Sequence, residues 1–186
     1  MTIFDTYGSG FRSLRVPSPF NATKAKVFIS YHHQRDQGYY DRFTRLFADS
    51  YDIITDTSIE RLIGSDDVGY QQQVIREQHI TGSSVTVVLC GAETWKRRWV
   101  DWEIHMTLNK EHALLGIPLP TAARNQAGQI IVPDRLLANI NSGFAQWIGW
   151  MEDPRILKAA IDAAREKARQ TRNIDNSAPR MERSRP

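Results

Sequence analysis

Apolar positions along the chain gather into short, densely apolar runs separated by longer stretches with helical spacing. Lys26-Val27-Phe28-Ile29-Ser30-Tyr31 is short, β-branched and aromatic, and predicts a first strand with a polar turn from His32 to Asp36 behind it. Tyr39, Tyr40, Phe43, Leu46 and Phe47 recur at helical intervals and predict a helix over 39–48. Asp52 to Thr55 predicts a short second strand. A long polar stretch with Asp56, Thr57 and Ser58 follows, and then a helix over 68–80. Ser84 to Cys90 is the clearest strand, nearly all apolar, as expected when both faces are covered, and Gly91 ends it. A helix over 97–111 and a strand over 113–117 come next, the strand closed by Pro118 and Pro120. Beyond a loop-rich stretch with a short helical piece at 136–140, a last strand is expected over 145–150. Asp153-Pro154 then opens a final helix of about 15 residues, with Asp as cap and Pro in the first turn.

Strands alternating with amphipathic helices imply an α/β fold, with a short parallel sheet between helical layers joined by right-handed crossovers. Ligands of such sheets sit beyond the carboxyl ends of the strands. That rule places the loops after Tyr31, Thr55 and Cys90 around one site. The expected organisation is an N-terminal extension over 1–23, one domain over 24–170, and a basic tail over 171–186.

Composition narrows the function classes. A length of 186 residues with 41% hydrophobic content suits one domain with an ordinary core. No run approaches the roughly 18 apolar residues of a membrane span. The start MTIFDTYGSGFRSLR lacks the apolar core of a secretion signal. The single cysteine, Cys90, excludes an internal disulfide and a multi-cysteine zinc site, and reads as a small buried hydrophobe. A cytoplasmic location is the resulting expectation. The net charge of +3 is unevenly spread: Arg165 to Pro186 holds seven basic and three acidic residues. No aromatics are interleaved with these arginines. The tail therefore reads as solvated and disordered, with no nucleic-acid partner and no membrane partner expected.

One residue does not suit its surroundings. With Trp99 at the origin of a helical wheel, Glu103 falls at about 40°, near the middle of the arc that Trp99, Trp102, Met106, Val100 and Ile104 define. Asp101 and His105 fall on the opposite side. A carboxylate on an apolar face is costly to bury alone. It is either one half of a structural ion pair, with Arg97 or Arg98 as nearby candidates, or it lies at a cleft where its charge is used.

Trp99-Val100-Asp101-Trp102-Glu103-Ile104 resembles the Trp-Cys-x-x-Glu-Leu signature of Toll/interleukin-1 receptor (TIR) domains, with Val100 in place of the common cysteine. The strand Ser84 to Leu89, the approach Glu93 to Trp99 and the opening Val27 to His32 resemble the bacterial TIR-like proteins of Thoeris anti-phage defence. The likeness spans roughly residues 26–117 and is thin through 56–80. It implies a flavodoxin-like, three-layer TIR-type fold. It also implies an NAD glycohydrolase or ADP-ribosyl cyclase in which Glu103 is catalytic, producing a cyclic ADP-ribose-type signal for a separate effector. NAD would be a substrate and no cofactor would be held, which accords with the lack of the G-x-G-x-x-G and G-x-x-x-x-G-K-[ST] motifs. TIR-like domains that are not enzymes act as interaction modules through self-association, and a nucleotide sensor would use the same crevice.

The chemistry suits a lone carboxylate. Nicotinamide is cationic while attached and leaves neutral, so no general acid is needed. Positive charge develops on the ribose, as in glycoside hydrolysis, and one fixed anion stabilises it. Candidate substrate contacts are Phe28, Tyr31, His32, Asp36, Asp56, Ser58 and Trp99. Phe28 has plain core packing as its competing role, and the polar loop residues have simple solvation. His32 and His33 are adjacent on a turn and point apart, so no metal site is expected.

Overall fold

The computed structural model describes the backbone of residues 24–54 and 70–186, and the side chains of 24–54 and 76–186. The expectations for 1–23, and for Asp56 and Ser58, lie outside the described residues.

Five strands form one parallel sheet in the order β2-β1-β3-β4-β5. They are β1 (Lys26–Ser30), β2 (Asp52–Ile54), β3 (Val85–Cys90), β4 (Ala113–Pro118) and β5 (Gln146–Trp147). Among the described residues the helices are α1 (His33–Phe47), α2 (Tyr70–Gly82), α3 (Arg98–Asn109), α4 (Asp134–Asn141) and α5 (Pro154–Ala168). This is the flavodoxin-like strand order, and the chain reverses direction across the sheet between β1 and β3.

Side-chain alternation along the strands builds the three layers. Val85, Val87 and Leu89 of β3 face one way, onto Tyr40, Phe43 and Phe47 of α1 and Leu157, Ile161 and Ala164 of α5. Val88 and Cys90 face the other way, onto Val100, Ile104 and Leu108 of α3 and Leu136 of α4. Phe28 of β1 lies on that second side with Ile80 of α2 and Trp102 of α3. Each fully buried apolar side chain of this size contributes about 1.5–3 kcal/mol.

Three features depart from the sequence expectation by more than about two residues. The turn expected over 32–36 is the first turn of α1, where Asp36 faces the positive end of the helix. The last strand shrinks from the expected 145–150 to two residues. It pairs with β4 only through Leu115–Gln146 and Gly116–Trp147, and the Trp147 ring lies where a Cβ on Gly116 would stand. The third difference is the tail. It does not leave the domain as a solvated segment: it forms a short 3-10 turn over Thr171–Asn173 and then returns along α3. Charge counting misses this because the partners of the tail are polar groups of α3 and α4, far away in sequence.

Candidate active site

Ser30 is the last residue of β1 and shares the Phe28 side of the sheet, so its hydroxyl is delivered to α3 at the switch point. There Ser30 Oγ donates to Glu103 Oε2 at 2.6 Å. The other oxygen, Oε1, is held by the Arg76 guanidinium from α2. Glu103 is only 4% exposed, and Arg76 is buried with it. Burial pushes the Glu103 carboxyl up from its ordinary value, while the Arg76 charge and the two hydrogen bonds pull it back. The backbone under it is bolted to the sheet: Thr107 Oγ1 donates to the Glu103 carbonyl at 2.8 Å and meets Thr86 Oγ1 of β3 at 2.7 Å.

Trp99 lies one turn before Glu103. The Arg76 and Arg98 guanidinium groups sit over its ring at 4.9 and 5.0 Å, and Trp102 meets it edge-on at 5.9 Å. This gives a carboxylate and an aromatic wall on one face of α3, with a cationic partner brought to them by α2.

A second polar group joins the ends of β1 and β3. Asp36 is buried against Gly91 and accepts from Thr94 Oγ1 at 3.1 Å, and burial raises its carboxyl. Thr94 Oγ1 in turn accepts from the Gly91 amide at 2.8 Å. His32 is 7% exposed, with Nδ1 3.9 Å from Glu93 Oε2. Burial pulls its imidazole down to about 4, with Arg97 adding to the effect and Glu93 opposing it. Glu93 also meets Arg35 at 3.5 Å and pairs with Arg97. Partial burial acts to raise the Glu93 carboxyl, yet these arginines hold it below its ordinary value.

The sequence candidates therefore divide. Trp99 and Glu103 stand together. His32 and Asp36 form a neighbouring group at the same strand ends. Phe28 is placed as core, buried with Ile80 and Trp102. Tyr31 faces away from Glu103: it stacks on Tyr40 at 4.5 Å, and its hydroxyl bonds Gln37 Oε1 and His33 Nδ1, each at 2.8 Å. The ion-pair partner of Glu103 is Arg76, not Arg97 or Arg98. Ser30, Arg76, Glu93 and Thr94 were missed by sequence reasoning. Arg76 was discoverable, because it precedes Ile80 by four residues and so shares the inward face of α2. Burial pushes the Cys90 thiol well above its ordinary range, consistent with an inert core residue.

The family description "Thoeris protein ThsB, TIR-like domain" matches residues 28–124. The chain belongs to this family. The matched stretch opens in β1, closes just after β4, and contains both polar groups. Thoeris ThsB-type membership makes the protein a TIR-like component of Thoeris defence. α4, β5, α5 and the returning C-terminal segment lie beyond the matched stretch. None of the curated proteins compared with this Thoeris-type chain matches it. No helix among its described residues is long and apolar enough to cross a membrane.

Proposed function

We propose that the protein cleaves NAD at the nicotinamide–ribose bond, with Glu103 as the catalytic carboxylate, and passes a cyclic ADP-ribose-type product to a separate effector. One observation carries this reading: a buried carboxylate held by Ser30 at the carboxyl end of β1, at the switch point where such sheets bind ligands. The Trp99 face beside it suits an aromatic ring.

Arg76 gives the arrangement a resting form. Its guanidinium neutralises Glu103 where the cationic nicotinamide riboside would otherwise supply the positive charge. In turnover the substrate replaces Arg76 as counter-ion. Glu103 then faces the ribose, and its charge stabilises the oxocarbenium-like state as nicotinamide leaves neutral. Water completes hydrolysis; a second nucleophilic atom of the same nucleotide completes cyclisation.

The closed Arg76–Glu103 pair also favours a second reading, a non-catalytic interaction module in which the pair is structural. Mass spectrometry of nucleotides from phage-infected cells separates the two. Under the catalytic reading, wild type accumulates nicotinamide and an ADP-ribose product, and the Glu103→Gln variant accumulates neither although it is folded and present at equal level. Equal nucleotide pools in the two strains overturn it in favour of the module.

A further inference from the structure

α3, the helix that carries Glu103, has no side-chain cap of its own, since Arg97 stands at the cap position and supplies none. The C-terminal segment provides what is missing. Ser184 Oγ accepts from the Arg98 amide at 3.3 Å, and the Arg185 amide donates to the Lys96 carbonyl at 2.9 Å, so this segment closes the amino end of the helix. At the other end Asn176 Nδ2 donates to the His105 carbonyl at 3.2 Å and to Asn109 Oδ1 at 2.8 Å. Between these points the Met181 amide donates to Asp101 Oδ2 at 2.8 Å. The segment thus runs the length of α3, from its last turn to its first, on the side opposite Glu103.

Arg135 of α4 locks it there. This guanidinium is 1% exposed, and Asp101 meets its Nε at 3.0 Å. The segment supplies the other acceptors: Asn176 Oδ1 at 2.6 Å, the Ala178 carbonyl at 2.9 Å and the Pro179 carbonyl at 3.1 Å. A buried guanidinium is tolerated only when its donors are satisfied. Asp101–Arg135 is therefore a pair completed by the segment: residues 176–179 accept from Arg135, and the Met181 amide donates to Asp101.

We infer that residues 175–185 are a strap that positions the Glu103 helix against β1 and α2, and that Ser184 and Asn176 are positioning residues for Glu103. The strap lies outside the stretch, residues 28–124, that the family description matches. The inference rests on the catalytic reading of Glu103 only for its kinetic arm.

The test uses full-length Ser184→Ala, Asn176→Ala, the double variant and Ser184→Thr. Amide hydrogen exchange is followed over α3 and over α5 as control, together with nicotinamide release. Loss of a cap typically costs about 1 kcal/mol, which is about fivefold in an opening equilibrium. Exchange within α3 is expected to accelerate about fivefold in each alanine variant and about tenfold or more in the double, with α5 unchanged and Ser184→Thr at the wild-type rate. kcat is expected to fall with KM unchanged. Unchanged exchange in α3, or equal acceleration in α3 and α5, overturns the strap. A wild-type chain that releases no nicotinamide counts against the catalytic reading alone, and the exchange pattern still decides the strap.

Discussion

The hydroxyl of Ser30 donates to the carboxylate of Glu103 at 2.6 Å across 73 residues of chain, tying the end of β1 to α3. Ser30→Ala removes the donor and leaves one buried carboxylate oxygen unsatisfied. The expected cost is about 1–3 kcal/mol, read as a lower urea midpoint at unchanged m. If Glu103 is catalytic, nicotinamide release falls as well.

The Arg76–Glu103 pair should behave as a coupled unit. Glu103→Gln or Arg76→Met alone strands a buried charge or breaks its pairing and should cost about 3–5 kcal/mol. The double variant should recover part of that loss, giving a favourable coupling energy in a double-mutant cycle. On the resting-form reading, Arg76→Met also raises nicotinamide release per folded molecule, because the counter-ion no longer competes with substrate. A fall in release would show that Arg76 assists the reaction.

His32 sets a pH dependence. Its native pKa of about 4 lies below the unfolded value of 6.5, so the native state binds fewer protons. Its contribution is complete above pH 6.5 and is lost as pH falls toward 4. The loss approaches about 3 kcal/mol at pH 4, each pKa unit corresponding to about 1.36 kcal/mol. Denaturant melts between pH 7 and 4 should show a steeper decline for wild type than for His32→Gln, and parallel curves would refute the assignment.

Gly91 admits no side chain. A Cβ there would fall within the Asp36 carboxylate, which is buried and held by Thr94. Gly91→Ala should cost about 1–3 kcal/mol, as overpacking does, and should disturb the β1–β3 junction first. The amide signals of Asp36 and Thr94 in a heteronuclear NMR spectrum are the place to look.

How far the sequence could be read follows from the range of the forces involved. Strands such as Val85 to Cys90 were legible because both faces are apolar, and Glu103 stood out because its neighbours on the wheel are. The partner of Glu103 was not legible from the adjacent arginines, since α2 and the sheet decide which guanidinium arrives. Tyr31 illustrates strand alternation: adjacent to Ser30 in sequence, it emerges on the other side of the sheet and meets Tyr40. The C-terminal segment misled for a related reason. Its composition is that of a solvated tail, but Arg135 and Asp101 offer it a row of specific partners that composition does not register.

The link between Asp101 and Met181 spans 80 residues, and it gives the molecule a temporal order. During synthesis the outer flank of the Glu103 helix emerges long before the residues that will cover it, so the Arg98 amide lacks its partner, and Asp101 has only Arg135, until residues 176–184 have been made. Closing so wide a loop adds contact order that slows the final step of folding. A chain caught before that step would hold a finished sheet beside a frayed Glu103 helix.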